Sequence, residues 1–156
     1  MTIDSALLDK LSEAAKASPR LRMNFDLRNG ESDLSQRMLN RRSEREQSKL
    51  ACYAEPQGGK DAKRLNAVEP GTMLPVHRHR GTSETVCIVR GRVVQHFYDE
   101  SGVETEALEM YPGCEAPVVN VEAGRWHRLE SLESGSVILE CKDGAWEPLA
   151  EEDVMK

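Results

Sequence analysis

The sequence predicts a single-domain protein of the all-β class, a barrel or a sandwich, preceded by a short helix. The first observation is length, since 156 residues suffice for one domain with a hydrophobic core. The second is that short apolar runs alternate with glycine-containing turn signals from Leu65 onward, a pattern typical of sandwiches and barrels. The third is that aromatic residues make up only 4% of the chain, which indicates an aliphatic core.

The first 30 residues carry one helix and one strand. Apolar residues recur at helical spacing from Ser5 to Ala17, and the Ser-Pro pair that follows ends the pattern. Residues 21–27, LRMNFDL, then alternate between apolar and polar side chains, which predicts a half-buried strand. We therefore expect residues 1–30 to form an N-terminal helix and an edge strand outside the main body.

The middle of the chain is the least regular part. Residues 31–62 carry several charges, few apolar positions and no clear period. A solvated helix and an exposed loop both remain open for this stretch. We expect an insertion or flexible loop over residues 31–62 and a β-barrel over residues 63–156, all within one domain.

The barrel region divides into seven β-type runs separated by glycine or Pro-Gly turns. In chain order these runs are GTMLPVHRH, ETVCIVRG, RVVQHFYD, VETEALEM, APVVNVEAG, RWHRLESL and GSVILECKD. The Lys-Asp-Gly sequence at the end of the last run predicts a simple turn.

Composition restricts the function. A formal net charge of -6 argues against a general nucleic-acid binder and against an anionic membrane surface as partner. The apolar stretches are too short for a transmembrane helix, and the N-terminus has no secretory h-region. The four cysteines form no C-x-x-C pair, which argues against a structural zinc finger. Because the N-terminus does not resemble a signal peptide, we expect reduced thiols in a cytoplasmic protein.

His77 and His79 are candidates for a metal site. On an extended strand both imidazoles point to the same face. A hairpin formed by the following run would return Glu84 to that face, and His127 would come from a later strand. Three nitrogens and one carboxylate oxygen would then leave one or two metal positions open, as catalysis requires. A polar strand face without metal is the alternative.

The spacing around these residues resembles the first sequence motif of the cupin superfamily. That motif runs from Gly71 through His77-x-His79 and Glu84 to Gly91, with every interval met. The second cupin motif is similar to Gly124-x-x-His127. The sequence departs from it with Glu122 in place of the usual proline and Ser131 in place of the usual asparagine.

Several further stretches resemble the WbuC family of cupin-fold metalloproteins. They are SPRLRMNF, HRHRGTSETVCIVRGRV, FYDESG, AGRWHRLESLESGSVILECKDG and WEPLAEEDV. The resemblance implies a cupin, or double-stranded β-helix, jelly-roll barrel whose metal ligands are His77, His79, Glu84 and His127. It also implies a homodimer and a link to polysaccharide biosynthesis.

The ligand types leave zinc, iron, manganese and nickel open as the divalent metal. The first functional hypothesis is a metal-dependent enzyme acting on a small polar molecule such as a sugar or a sugar nucleotide. Isomerase or epimerase, lyase and oxygenase chemistry all remain open, and the sequence identifies no catalytic base. The alternative is a non-catalytic, metal-dependent binding or sensor domain, and a purely structural metal is a third interpretation.

Three residues outside the ligand set are candidates for substrate binding. Arg22 and Asn24 share one face of the N-terminal strand, and Ser131 shares the face of His127. Solvent exposure or polar packing is the alternative for each. We expect His96 to be a satisfied histidine outside the site, and Trp126 to pack away from it.

Overall fold

The computed structural model describes residues 5–17, 23–26, 31–33, 50–54, 62–72, 74–144 and 149–155. The helix α1 spans Ser5–Ala17, the range predicted from its apolar spacing. The strands are β1 (Met23–Asp26), β2 (Glu31–Asp33), β3 (Leu50–Ala54), β4 (Ala62–Val68), β5 (Glu84–Arg90), β6 (Val93–Tyr98), β7 (Glu104–Met110), β8 (Val118–Val121), β9 (Trp126–Ser131) and β10 (Ser136–Lys142). A 3-10 turn covers Glu151–Asp153.

The strands form two sheets within the described residues. One sheet has the strand order β2-β1-β3-β4-β10-β5-β8, and the other has the order β7-β6-β9. All pairs are antiparallel except β1 with β3, which is parallel. Neighbours such as β10 and β5 are distant in sequence, so the sheets are closed by crossovers rather than by hairpins alone. This is the arrangement expected of a jelly-roll barrel.

Two hydrophobic clusters lie on opposite faces of the larger sheet. The cluster inside the barrel consists of Val68, Val86, Ile88, Val93, Met110, Leu129 and Ile138. The cluster beneath the helix consists of Leu7, Leu11, Ala15, Leu65, Ala67 and Val137. β10 contributes to both because Val137 faces the helix and Ile138 faces the interior. Each large apolar side chain buried in this way contributes about 1.5–3 kcal/mol.

Part of the segment expected to be an insertion or loop is β-structure. β2 and β3 both lie within residues 31–62, and β3 pairs with β4 from Leu50 opposite Val68 to Ala54 opposite Arg64. The remainder of residues 31–62, apart from the first residue of β4, lies outside the described residues. The interpretation as an insertion therefore stays a prediction.

Gly91 forms the turn between β5 and β6. Its φ is +79°, and a Cβ at this position would come within 2.7 Å of the Ser136 Cα. Because the approaching atom belongs to backbone, no side-chain rotation would relieve the contact. This close approach is the physical reason for a glycine at the end of the first motif.

Within the described residues, no helix combines the length and the apolar character that crossing a membrane requires.

Candidate metal centre

The first two histidines lie on a short extended segment beside β9. His77 exchanges two backbone hydrogen bonds with His127, at 3.0 and 2.8 Å between nitrogen and oxygen. The Gly124 amide donates to the His79 carbonyl at 2.7 Å. This backbone pairing brings residues that are 50 positions apart in sequence into contact, and it sets the three imidazole rings side by side.

Glu84 reaches the site by a different route from the expected hairpin. β5, which begins at Glu84, pairs with β10 and β8 in the larger sheet. His77 instead bridges His127 and Val154. The hairpin expectation is therefore wrong. Residues 80–83, between His79 and Glu84, connect the two sheets, and the Glu84 carboxylate faces the histidines across the barrel interior.

The three histidines form a compact group. One ring nitrogen from each of His77, His79 and His127 lies within 4.8 Å of the other two. The ring centroids are 4.4 to 5.7 Å apart. Within the described part of the chain, this is the one group of three or more histidine, cysteine or carboxylate side chains with such spacing. Glu84 lies outside the group and contacts it through His79.

Backbone carbonyls orient two of the three rings. His77 Nδ1 lies 3.0 Å from the Pro75 carbonyl, and His127 Nδ1 lies 2.9 Å from the Arg125 carbonyl. Since a carbonyl only accepts hydrogen bonds, each Nδ1 carries the proton and each Nε2 keeps its lone pair. His127 Nε2 is buried and has no hydrogen-bond partner. A buried, unpartnered lone pair is what a metal ligand requires.

Burial keeps these histidines neutral. Desolvation, followed by repulsion from His127, lowers the pKa of His77 from 6.5 to about 3. Desolvation also lowers the pKa of His127, although the charge of Glu84 partly opposes it. Both imidazoles are therefore in the ligating form at neutral pH.

Glu84 is ionised in spite of its burial. Its exposed fraction is 6%, and Oε2 lies 3.3 Å from His79 Nε2. Desolvation would raise the pKa of Glu84, but the contacts of its carboxylate with His79 and with the positive charge of Lys142 outweigh this effect and hold the pKa well below its usual range.

Lys142 contacts the candidate centre, and the sequence did not identify it as a site residue. It was expected in a turn, but it ends β10 with an exposed fraction of 7%. Its Nζ lies 2.5 Å from His79 Nε2 and 2.6 Å from Glu84 Oε2. The strand continues one residue further than the turn signal indicated, and its alternation points the lysine inward.

Two polar side chains extend the site into the barrel. Asn66 Nδ2 donates to Glu140 Oε2 at 3.0 Å, and Glu140 Oε1 lies 3.6 Å from Lys142 Nζ. Asn66 Oδ1 is buried without a partner. Glu140 and Lys142 share the inward face of β10, which is the signal that could have found them. However, the opposite face of β10 carries the apolar residues Val137, Leu139 and Cys141, so the sequence pattern does not reveal that the face with Glu140 and Lys142 is the one inside the barrel.

The remaining candidates lie apart from the histidines or are not described. Ser131 lies four residues beyond His127 on the same strand. Its Oγ donates a hydrogen bond to the Glu133 carbonyl at 3.0 Å. Arg22 and the side chain of Asn24 lie outside the described residues. Substrate binding by these three residues stays a prediction.

His96 and Trp126 have partners of their own. His96 Nδ1 lies 2.8 Å from Glu104 Oε2. The Trp126 indole donates to Glu100 at 3.0 Å and lies beneath the Arg78 guanidinium, whose central carbon is 4.3 Å from the ring centroid.

The residues present fit a divalent metal ion. Three imidazole nitrogens with a nearby carboxylate are ligands that zinc, manganese, iron and nickel all accept. The unpartnered His127 Nε2 supports this fit independently of any motif.

The sequence matches a family described as a domain of unknown function (DUF6016), over residues 3–46 and 41–110. The two matched ranges include the stretch from residue 31 to residue 62. No protein sequence with curated annotation matches the chain.

Solved structures are similar to the chain at low sequence identity. KdgF from Halomonas sp. is 13% identical with a TM-score of 0.52, over 62% of this chain and 82% of that chain. A variant of the Bacillus subtilis oxalate decarboxylase OxdC is 21% identical with a TM-score of 0.46, over 55% of this chain and 21% of that chain. A Bacillus subtilis oxalate decarboxylase described with Mn(II) centres is 20% identical with a TM-score of 0.47, over 62% of this chain and 24% of that chain.

This chain therefore spans about a fifth of the length of the oxalate decarboxylase it matches. At 13% identity, the similarity to KdgF extends to the fold alone. That fold is the cupin-type jelly roll, so the predicted fold class is confirmed.

Proposed function

The chain belongs to the family described as a domain of unknown function (DUF6016), and from the geometry of its site we propose that it is a cupin-fold metalloprotein. In this proposal His77, His79, His127 and Glu84 bind one divalent metal ion. The observation that carries the proposal is the convergence of three imidazole nitrogens within 4.8 Å of one another. His127 is the fully buried member of the three, and its unpartnered Nε2 is costly to bury without a ligand.

We further propose that the protein is an enzyme acting on a small polar molecule. A bound divalent ion supplies Lewis-acid polarisation of a substrate carbonyl or hydroxyl oxygen. The chain's own residues set up the site around it. The Pro75 and Arg125 carbonyls orient two rings, and Glu84 supplies a negative charge. Val86 and Ile88, with exposed fractions of 1% and 4%, line the interior beyond Glu84 and exclude water.

For the substrate we propose a sugar or a sugar nucleotide, in cell-surface polysaccharide biosynthesis. The resemblance to the WbuC family supports this class. The resemblance to cupins, many of which are homodimers, supports a homodimer, and the expected reduced thiols support a cytoplasmic location. Isomerisation or epimerisation, lyase chemistry and oxygenation are the reaction classes that such a site serves. Turnover of a sugar nucleotide in a product assay by chromatography distinguishes an enzyme from a binder.

A non-catalytic, metal-dependent binding domain is the second candidate function. The observation that favours it concerns the two carboxylates of the barrel interior, Glu84 and Glu140. Both face the ammonium group of Lys142, at 2.6 and 3.6 Å. Neither is therefore placed as an unpaired general base. A binder would show saturable stabilisation by a small ligand without product.

The test of the metal site is metal content per chain, measured by mass spectrometry. Wild type, His79→Ala and His96→Ala are purified in parallel without added metal and then reloaded. His96 is the matched control because its imidazole is held by Glu104 away from the group. We expect about one equivalent of metal per chain in wild type and His96→Ala. In His79→Ala we expect the metal content to fall well below one equivalent, because the loss of one ligand lowers metal affinity at least about 10-fold. A wild type that takes up no metal after reloading contradicts the proposal.

A further inference from the structure

We propose that Lys142 is a substrate-binding residue that receives an anionic oxygen of the substrate once a metal ion holds His79 and Glu84. The inference rests on the proposed function, because it concerns the metal-loaded site. It adds a substrate class, small molecules that carry a carboxylate or phosphate oxygen beside a hydroxyl group.

Lys142 and a metal ion compete for the same ligand atoms. Lys142 Nζ lies 2.5 Å from His79 Nε2 and 2.6 Å from Glu84 Oε2, two of the proposed ligand atoms. Because an ammonium group only donates hydrogen bonds, His79 Nε2 meets Lys142 with its one lone pair, and that lone pair serves either the ammonium group or a metal ion. Lys142 therefore gives up the lone pair of His79 when a metal is bound. The metal ion and the ammonium group, both positively charged, also repel each other beside Glu84.

Once it has released His79, the Lys142 ammonium group still lies inside the barrel. The backbone of Lys142 is fixed at the end of β10 between β4 and β5, and its side chain has an exposed fraction of 6%. The ammonium group therefore stays in the interior, where Glu140 Oε1 at 3.6 Å is the neighbouring acceptor. Three N–H donors need more than one acceptor in a buried position, because an unpaired buried donor is costly. An anionic substrate oxygen beside the metal supplies the missing acceptor.

The side chain of Asn66 carries an unpartnered oxygen. Asn66 has an exposed fraction of 3%, and its amide nitrogen must face Glu140 because a carboxylate only accepts hydrogen bonds. This orientation leaves Oδ1 as a buried acceptor without a donor. A substrate hydroxyl group supplies that donor. Glu140 links the two side chains, so Asn66 and Lys142 form one polar subsite on β4 and β10.

The proposal makes metal and anion binding mutually dependent. Lys142 is available to an anion only when it has released His79, so metal binding strengthens anion binding. By linkage, the anion must strengthen metal binding by the same factor. Direct contact between anion and metal contributes to this coupling as well, and only the part that depends on Lys142 tests the proposal.

The experiment uses the metal-loaded full chain and isothermal titration calorimetry with three probes. Glycolate carries a carboxylate and a hydroxyl, ethylene glycol is its neutral counterpart, and inorganic phosphate represents the alternative source of an anionic oxygen. The variants are Lys142→Met, Lys142→Gln and, as the matched control, the exposed Lys10→Met. Lys142→Gln keeps a polar end and answers the same question if Lys142→Met does not fold. Metal affinity is titrated for each protein with and without the anion.

We expect wild type and Lys10→Met to bind glycolate or phosphate, with ethylene glycol at least about 10-fold weaker. Whichever of the two anions binds identifies the anionic group. In the Lys142 variants we expect metal to bind without anion at least as tightly as in wild type, and anion affinity to fall about 10- to 100-fold. The factor by which the anion strengthens metal binding should fall together with the anion affinity.

Two results overturn the inference while leaving the metal site intact. One is a metal-loaded Lys142 variant that binds the anion as tightly as wild type does. The other is a metal-loaded wild type that binds neither anion. A wild type that binds no metal at all overturns the proposed function and this inference together, and the titration without anion identifies that case.

Discussion

At the scale of single residues, the centre depends on hydrogen bonds behind the rings. The carbonyls of Pro75 and Arg125 hold the protonated ring nitrogens of His77 and His127, so the opposite nitrogens face inward as acceptors. Both carbonyls belong to residues two positions before the histidine that they orient. Such local contacts allow the backbone of each segment to preset the ligand geometry before any metal arrives.

These buried histidines predict a pH dependence of the metal-free protein. The folded-state pKa of His77 is lowered to about 3 from 6.5, so the unfolded chain binds more protons between these values. Stability is therefore full above pH 6.5 and falls as the pH decreases below it. The lowered pKa of Glu84 adds a contribution that is present above pH 4.5 and is lost on further acidification.

Urea unfolding with a chelator present measures this effect at pH 7 and pH 5.5. We expect the free energy of unfolding to fall by about 1 kcal/mol for His77 over this interval, and the lowered pKa of His127 to add a decrease in the same direction. His77→Gln should lose less than wild type over the same interval. Equal stability at the two pH values would contradict the neutral state of these rings.

At the scale of elements, residues 153–155 support the extended segment that carries His77 and His79, the histidine segment. The Arg78 amide donates to the Asp153 carbonyl at 3.1 Å, and the Met155 amide donates to the Val76 carbonyl at 2.9 Å. The Asp153 carboxylate also accepts from the Nε atoms of Arg78 and Arg80. The histidine segment is therefore held on one side by β9 and on the other by residues 153–155.

Asp153→Ala tests this support. Removing the carboxylate releases Arg78 and Arg80, which flank His79 in sequence. We expect metal affinity to fall about 10-fold, a loss typical of groups that orient a ligand from behind. Glu152→Ala is the matched control because Glu152 is exposed on the same turn. Calorimetric titration of metal into both variants measures the effect. Unchanged affinity in Asp153→Ala would show that the Asp153 carboxylate does not position the segment.

At the scale of the whole molecule, the site joins parts of the chain that are remote in sequence. The histidine segment, β5 and β9 contribute the proposed ligands, and β10 contributes Lys142 from the centre of the larger sheet. A metal ion bound to several of these elements in the folded state, with no affinity for the unfolded chain, stabilises the whole fold by mass action.

Thermal unfolding with and without a chelator measures this stabilisation. Free metal at about 100 times Kd should raise the free energy of unfolding by about 3 kcal/mol, and Tm by about 6–12 °C. His127→Ala should show no such shift, because its Nε2 is the buried atom that lacks a partner in the protein. An equal shift in the variant would place the metal elsewhere.

The sequence by itself determined the local features of this protein. The boundaries of α1 and the order of the strands from β5 to β10 follow from side-chain periodicity. Alternation along an extended strand places His77 and His79 on one face, and the resemblance to the cupin motifs added Glu84 and His127. Helix limits, strand order and a shared strand face are properties of neighbouring residues, which side-chain periodicity is enough to predict.

The tertiary structure alone decided the pairing of β5 with β10 and the entry of Lys142 into the site. It also decided that Asn66 faces Glu140 across neighbouring strands, and that β3 joins the larger sheet. Register between strands depends on crossovers and on contacts far apart in sequence, which periodicity does not encode. The buried faces of β4 and β10 carry polar and apolar residues alike, so only the closed barrel shows which of them meet.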